Sequence, residues 1–334
     1  MQKWLVIQTA FIGDVVLATS LLESLHNKYP NDKIDVLVRK GNEGLLEHHP
    51  FVRKVLIWDK KNNKYQNWWN ILKAIRAQKY EGVINVQRYA ATGLWTGFSK
   101  AKMKIGFDKN PFSFLFTHVI KHAFIGEGQH EIKRNHALLE VISPMTLLKP
   151  KLYPSASDRF AISNYQQTPY ICIAPTSVWW TKQLPIQKWV DLIQSIPFDG
   201  PIYILGGPAD KIVGDQIVQK VTRKQVLNVS GKFHFLASAA LQEGALLNYV
   251  NDSAPMHFAS AMNAPVVAIY VSTVPSFGYG PLSETSFIIE TNAPLTCRPC
   301  GLHGKKQCPL KHFDCAQTIQ TQQLVAPYLQ MTQH

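Results

Sequence analysis

Four short polar segments of this sequence stand where an apolar strand ends and a helix begins, positions that suit anion binding and proton transfer. The first contains Thr9, Gly13 and Asp14 and follows the strand Trp4–Ile7. With Gly13 as its single glycine, it matches neither a Walker loop nor a GxGxxG turn. A carboxylate here acts as a general base or merely caps the helix, and this segment alone leaves both interpretations of Asp14 open.

The other three segments lie in the second half of the chain and carry hydroxyls, glycines, carboxylates and one lysine. They are Ser177, Thr181 and Lys182; Gly206, Gly207 and Asp210; and Asp252, Ser253, Ala254 and His257. A lysine supplies charge to a phosphate, and hydroxyls with the free N–H groups of a helix start supply geometry. Each segment alone is explained by helix capping, by turn formation or by a core histidine. Their recurrence at successive strand ends predicts a nucleotide-diphosphate site.

The spacing of apolar residues predicts alternating strands and helices, which is typical of a mostly parallel sheet covered on both faces. The predicted strands are Lys3–Gln8, Lys33–Val38, Lys54–Trp58, Gly82–Val86, Met103–Ile105, Tyr170–Ala174, Pro201–Leu205, Gln225–Val229, Ala245–Val250 and Pro265–Tyr270. The predicted helices are Asp14–Lys28, Gln66–Ala77, Ala90–Ser99, Glu131–Leu148, Ile186–Ile196, Ala209–Val221, Phe233–Gln242, Pro255–Met262 and Ala316–Leu329. We expect Trp68, Trp69, Leu72 and Ile75 to form the buried stripe of one helix, and residues 106–135 to contain a long loop.

A proline-punctuated segment, Lys149–Ser155, predicts the boundary between two domains. Residues 1–152 form the first domain in this interpretation, and the C-terminal helix 316–334 crosses back to complete it. Residues 153–315 form the second domain, which carries a Cys-rich loop at 293–316. We expect two facing α/β domains whose strand ends and helix starts line a central cleft.

The charge balance of the chain predicts an anionic partner. Lys and Arg together number 35 against 22 Asp and Glu, which gives a formal net charge of +13. Nucleic acid, a phosphorylated substrate and an acidic membrane surface would each suit that charge. The basic residues are scattered without a long run, which argues against a nucleic-acid-binding tail. No signal peptide and no apolar run of membrane-spanning length is evident, so we expect a cytoplasmic protein.

The polar segments, in their order along the chain, resemble glycosyltransferase family 9, the ADP-heptose:lipopolysaccharide heptosyltransferases. The resemblance spans about residues 1–330 and rests on Gly13-Asp14 with Leu17-Ala18-Thr19, Ser177 with Thr181-Lys182 and Pro185, Gly206-Gly207-Pro208, and Asn251-Asp252-Ser253 with Pro255-Met256-His257. It implies a GT-B fold, in which two Rossmann-like domains face each other across a cleft. It also implies that the first domain mainly binds the acceptor and the second the nucleotide sugar, with inversion at the anomeric carbon and no catalytic metal.

The same resemblance assigns roles to individual residues. Asp14 matches the proposed general base, with Thr9 and Gly13 beside it on the acceptor side. The donor-side residues are Ser177, Thr181 and Lys182, Gly206, Gly207 and Asp210, Phe233 against the adenine, and Asp252, Ser253, Ala254 and His257. Lys182 and the helix starts would stabilise the leaving diphosphate. Two positions depart from the family pattern, because Ala254 stands where glycine is usual and Trp180 where proline is common.

These assignments predict an inverting glycosyltransferase that moves heptose from ADP-heptose to a lipopolysaccharide core or related anionic glycolipid. The protein would act at the cytoplasmic side of the inner membrane, peripheral to its surface, and would not bind nucleic acid. A non-hydrolysing sugar-nucleotide epimerase is an alternative, although it would need several acid/base residues around the sugar. A basic zinc-containing nucleic-acid-binding protein is another, but it leaves the strand-end segments unexplained.

Four of the five cysteines crowd into one short loop: Cys297, Cys300, Cys308 and Cys315. A C-x2-C pair followed by two more thiols has a spacing that suits a structural zinc, and free or partly oxidised thiols are the alternative. Four cysteine ligands would leave no open position, so we expect no catalytic metal here. Cys172 stands apart in an apolar strand.

Overall fold

Each half of the chain folds around its own parallel six-stranded sheet, and the two halves form separate compact units, Met1–Tyr153 and Pro154–His334. The computed structural model describes residues 1–122, 129–223 and 225–333. The boundary lies within the proline-punctuated segment.

The first unit has the strand order β3-β2-β1-β4-β5-β6. Its strands are β1 (Lys3–Ile7), β2 (Lys33–Arg39), β3 (Val52–Trp58), β4 (Gly82–Asn85), β5 (Met103–Phe107) and β6 (His118–Ile120). Its helices are α1 (Ile12–Lys28), α2 (Lys64–Gln78), α3 (Ala90–Phe98) and α4 (Glu131–Glu140). The order reverses between β1 and β4, which opens a crevice at the carboxyl ends of those two strands.

The second unit repeats this topology, with the order β12-β11-β10-β7-β8-β9. Its strands are β7 (Ile171–Ala174), β8 (Ile202–Ile204), β9 (Val226–Asn228), β10 (Leu247–Asn251), β11 (Val266–Tyr270) and β12 (Ser286–Glu290). Its helices are α5 (Ala156–Ile162), α6 (Ile186–Ser195), α7 (Lys211–Lys220), α8 (Phe235–Glu243), α9 (Ala254–Ala261), α10 (Asp314–Gln317) and α11 (Thr321–Thr332). The corresponding crevice lies between β7 and β10.

The central strands are buried along almost their whole length because helices cover both of their faces. All four residues of β7 are buried. Ile171 and Ile173 pack into one apolar cluster, whereas Cys172 and Ala174 pack into another. This alternation follows from the two-residue period of a strand and places one core on each face of the second sheet.

Four elements were not predicted from the sequence: β6, β12, α5 and α10. The two strands are sheet edges, where burial and hence the apolar signal are weakest. The predicted loop 106–135 therefore contains β6, and its Gly126 and Gly128 lie outside the described residues. The helix predicted to reach Leu148 ends at Glu140, ahead of the Ser143-Pro144 pair that disfavours helix.

Two packing expectations are corrected by the structure. The C-terminal helix α11 falls in the second unit, where its residues Leu324 and Tyr328 join the apolar cluster around α6, and not in the first unit, to which it was predicted to belong. On α2, Leu72 is buried as expected, but the Trp69 side chain is 57% exposed. Trp68 and Trp69 are neighbours on a helix and point about 100° apart, so they cannot both face the core.

Candidate functional site

In the first unit, the segment after β1 is fixed by buried amides at the β1/β4 crevice. The Gln8 side-chain oxygen accepts a hydrogen bond from Gln87, which follows β4, and another from the Ala10 N–H at 3.1 Å. The Asn42 side-chain N–H₂ donates to the Ala10 carbonyl at 3.0 Å. Thr9 is 1% exposed, and its carbonyl accepts from Lys60 Nζ at 3.1 Å. These bonds set the direction in which the chain enters α1.

Asp14 lies three residues past the N-cap of α1, Phe11, and its Oδ2 accepts the Phe11 N–H at 3.0 Å. Such a cap alone would lower the pKa of the carboxyl group. Instead burial, followed by the charge of Glu131, raises the pKa of Asp14 to about 6, against the opposing effects of its backbone hydrogen bonds and Arg39. Asp14 therefore caps the helix and is also poised to take up a proton near neutral pH.

Glu131, which the sequence analysis did not single out, is the charged neighbour that helps raise the pKa of Asp14. It begins α4 and is held by Arg134, whose Nε and Nη2 donate to Glu131 Oε2 at 2.9 and 2.6 Å. The Arg134 side chain is 6% exposed, so this pair is largely shielded from solvent. No local sequence motif identifies Glu131, because the group whose pKa it raises, Asp14, lies more than a hundred residues away in the sequence.

In the second unit, the structure brings Lys182 and Asp252 together at the β7/β10 crevice. Lys182 Nζ lies 2.6 Å from Asp252 Oδ2, with side-chain exposures of 14% and 8%. The Thr273 hydroxyl donates to the same carboxylate oxygen at 2.6 Å. A cation and its counter-ion thus stand where the open α/β sheet binds ligands.

Asn251, the last residue of β10, holds the segment after β7 in place. Its side chain accepts from the Leu184 N–H at 3.0 Å and donates to the Pro175 carbonyl at 2.8 Å. Between these anchors, Ser177 is half-buried and its carbonyl accepts from the Gln183 side chain at 2.7 Å. The amide of Asn251 therefore positions the hydroxyl and lysine segment beside β10.

Thr181 is 1% exposed, and its hydroxyl is already engaged within the protein. The hydroxyl accepts the Lys305 N–H at 2.7 Å and the Ser272 hydroxyl at 3.0 Å. The backbone N–H of Thr181 donates to the Lys305 carbonyl at 3.1 Å. These contacts give Thr181 a role in anchoring the Cys-rich loop to the β7 end.

The glycine segment after β8 forms a capped turn. Asp210 Oδ2 accepts the Gly207 N–H at 2.8 Å. Asp210 therefore caps this turn, which is the capping role considered for it in the sequence. A Cβ atom on Gly206 would stand 2.6 Å from the Asp210 Cβ, which explains why glycine is needed at that position. Phe233 packs edge-on against Tyr165, with ring centroids 5.2 Å apart.

The start of α9 follows directly on the end of β10. Ser253 is its N-cap, and within the part of the chain that the structure describes no side chain caps the helix start. The Ser253 hydroxyl instead donates to the Asn251 carbonyl at 3.3 Å. Ala254 begins the helix, and His257 on its first turn is 6% exposed. The second helical residue is Pro255, which has no N–H, and the next N–H donates to the Ser253 carbonyl at 3.1 Å, so this helix start attracts an anion chiefly through the positive end of its dipole.

The Cys-rich loop is tied to the end of β11 by Arg298. Its guanidinium donates to the carbonyls of Val271 at 2.7 Å, Tyr270 at 3.1 Å and Thr273 at 2.7 Å, and to Glu290 Oε1 at 2.5 Å. This network fixes one end of the loop on the second sheet.

The four loop thiols influence one another but are not gathered into a ligand set. Burial, then the charges of Cys300, Cys308 and Cys297, raise the pKa of Cys315 to about 11. All four are free thiols, and among residues 1–122, 129–223 and 225–333 no group of three His, Cys, Asp or Glu is arranged to hold a metal. Across those same ranges, no helix has the length and apolarity needed to cross a bilayer.

Comparison with known proteins gives consistent results. The model of glycosyltransferase family 9 (heptosyltransferase) matches residues 68–313. Lipopolysaccharide heptosyltransferase 3 of Escherichia coli is 26% identical over 285 residues, covering 79% of this chain and 82% of the relative. The solved E. coli ADP-heptose LPS heptosyltransferase II has a TM-score of 0.80 at 20% identity, covering 98% of both chains. E. coli heptosyltransferase WaaC, solved with ADP-2-deoxy-2-fluoro heptose, has a TM-score of 0.71 at 17% identity, covering 86% of this chain and 93% of that one. The predicted α/β architecture of GT-B type is thereby confirmed.

Proposed function

Because this chain belongs to glycosyltransferase family 9, the heptosyltransferase family, we propose that it transfers heptose from ADP-heptose to a lipopolysaccharide core or related glycolipid. The observation that supports this most directly is the placement of charge in each unit. A carboxylate with a raised pKa follows β1, and a lysine–aspartate pair joins the ends of β7 and β10. Relatives are named for the same transfer, and one is solved with an ADP-heptose analogue.

In this proposal the second unit binds the donor. Lys182 contacts the diphosphate, and the N-terminal end of α9 adds the positive end of its dipole. Ser177, Gly206, Gly207, Ser253, Ala254 and His257 line the donor site, with Phe233 beside the adenine. Developing negative charge on the leaving ADP is stabilised by Lys182 and the helix dipole, without a catalytic metal.

The first unit supplies the base. An acceptor hydroxyl attacks the anomeric carbon, its new C–O bond forms as the bond to ADP breaks, and the sugar configuration inverts. Asp14 accepts the hydroxyl proton, and ADP leaves with the bonding electron pair. Thr9 and Gly13 hold the backbone that presents Asp14.

The donor is tested by measuring thermal stabilisation with ADP-, UDP-, GDP- and CMP-linked sugars, because a bound ligand raises the melting temperature by mass action. We expect ADP-heptose to give the largest shift and to be consumed when a core acceptor is added. Stabilisation by a different nucleotide alone would refute the donor assignment while leaving the family unchanged.

The family match excludes the epimerase alternative considered from the sequence. A nucleic-acid partner is not expected, and a DNA titration tests this, since true binding would weaken steeply with salt. We propose instead that the protein is cytoplasmic and peripheral to the inner membrane, where an anionic glycolipid acceptor is presented. Lys305, Lys306 and Lys311 of the Cys-rich loop are exposed cations suited to that acceptor.

A structural zinc held by Cys297, Cys300, Cys308 and Cys315 is also part of the proposal. The four thiols have the right chemistry and lie within electrostatic reach of one another. The loop would have to draw them closer to complete a tetrahedral set. Such a metal would order the loop and take no part in the transfer.

A further inference from the structure

A cavity of about 650 Å³ lies between α2 and α3 of the first unit, outside the site described above. Its walls are largely aromatic and aliphatic, and they include Trp58, Trp68, Trp69, Leu94 and Phe98. Cavities of this size bind substantial apolar groups. Neither the base nor the donor residues line it, so the proposed transfer leaves its occupant unassigned.

The inner wall of the cavity is held by hydrogen bonds, whereas its rim is exposed. Trp68 Nε1 donates to the Ala91 carbonyl at 3.1 Å, and Trp95 Nε1 donates to the Trp68 carbonyl at 3.0 Å. At the rim, Tyr65 is 78% and Trp69 57% exposed. A preformed apolar cavity with aromatic side chains left in water indicates a binding surface.

The same face is strongly basic. Residues 59–79 contain six Lys or Arg and one acid, Asp59. All six cations are exposed. Asp59 is occupied by Lys40, with Nζ and Oδ2 2.9 Å apart. A helix that presents aromatic residues among lysines is typical of segments that lie in a membrane interface.

Lys60 connects this face to the proposed acceptor side. Its Nζ lies 4.5 Å from the ring centre of Trp58, a wall of the cavity, and donates to the Thr9 carbonyl. The cavity and the Asp14 segment therefore stand close together on one unit. An apolar chain seated in the cavity would bring its polar head toward the residues that precede Asp14.

We infer that the α2–α3 face docks on an anionic lipid bilayer, with one acyl chain of that bilayer entering the cavity and lipid phosphates meeting the surrounding cations. A second copy of this chain fits less well, because a symmetric contact would set six cations against six. The inference rests on the proposed function only in that the acceptor is membrane-borne. Docking itself requires neither donor nor transfer.

The test measures binding of the full chain to vesicles of phosphatidylcholine with and without phosphatidylglycerol, in the absence of donor and acceptor. We expect binding only to the anionic vesicles. Replacing Lys64 and Arg76 by Gln should weaken it about thirtyfold, since each cation near such a surface contributes about fivefold. Trp69→Ser should weaken it about tenfold through lost apolar burial. Lys220→Gln and Phe160→Ser, exposed residues of the second unit, serve as matched controls and should change nothing.

Equal binding by the α2 variants and the wild type would overturn the inference, as would equal binding to neutral vesicles. Loss of binding only when Lys305, Lys306 and Lys311 are replaced would assign docking to the Cys-rich loop instead. A dimer that disappears with Trp69→Ser, without vesicle binding, would assign the face to a second copy. Transfer to a deacylated acceptor is measured in parallel: its absence in wild type would count against the proposed function, whatever the vesicles show.

Discussion

Lys182 Nζ and Asp252 Oδ2 form an ion pair at 2.6 Å across the ends of β7 and β10. The sequence suggested a separate donor contact for each residue, but their proximity makes their contributions interdependent. A diphosphate that binds Lys182 must compete with the Asp252 carboxylate for the lysine ammonium group. Removing either partner leaves the other as a nearly buried, uncompensated charge.

Lys182→Ala should weaken ADP binding by about tenfold or more, because a charged hydrogen bond is lost and an unpaired carboxylate repels the diphosphate. It should also lower the free energy of unfolding by about 3 kcal/mol, the usual cost of leaving a buried charge without its partner. Calorimetry with ADP and urea unfolding measure the two effects. Asp252→Asn on the Lys182→Ala background should recover part of the stability and only the part of the affinity that was lost to repulsion by the unpaired carboxylate. Unchanged ADP affinity would contradict the donor role of Lys182, and Lys220→Ala is the matched control.

Asp14→Asn should reduce turnover by about 10²–10⁴-fold while leaving ADP-heptose affinity unchanged, since the base acts on the acceptor. The Asn side chain still offers an oxygen that can accept the Phe11 N–H, so the variant keeps the helix cap and loses only the base. The pKa of Asp14 is higher in the folded protein than in the unfolded chain. At a pH above the unfolded value, ionisation of Asp14 therefore disfavours folding. The uncharged variant should accordingly be no less stable than the wild type at pH 7. Turnover above about a tenth of wild type would favour the helix-cap interpretation.

Glu131→Gln should shift the acid limb of the pH–rate profile to lower pH. Asp14 must be ionised to accept a proton, so kcat/KM in the wild type should rise with pH and level off above about 6. The negative charge of Glu131 raises the pKa of Asp14, and its removal lets Asp14 ionise at lower pH. Glu140→Gln at the exposed end of the same helix is the control. An acid limb that stays in place would show that Glu131 does not tune the base.

Metal analysis of the purified protein should find close to one zinc per chain, and the same measurement counts iron, which thiolates also bind. Chelation should lower the melting temperature and speed hydrogen exchange at residues 293–316, with ADP affinity unchanged. Activity should fall more on membrane-presented acceptor than on a soluble fragment. Less than about 0.2 metal per chain, with four titratable thiols, would rule the site out.

The sequence predicted all eight inner strands, because burial on both faces makes their apolar runs nearly continuous, and it predicted two of the four edge strands, β3 and β9. It missed β6 and β12, since an edge strand needs few apolar residues. Motif position located Asp14, Lys182 and Asp252, but which charges pair depends on tertiary contacts between segments 70 residues apart. Glu131 carries no local signal at all. The exposure of Trp69 was accessible from helix geometry, because adjacent residues cannot share one face.

The anchoring of the Cys-rich loop by Arg298 and Thr181 constrains how this protein can be recombined with others. A chimaera that receives residues 293–316 from a relative loses the guanidinium that three strand-end carbonyls share, unless the donor sequence has an arginine at the matching place. It also breaks the Thr181 hydroxyl bond to Lys305 if the new backbone takes another path. The exchangeable module is thus larger than the loop and includes the turn that carries Lys182.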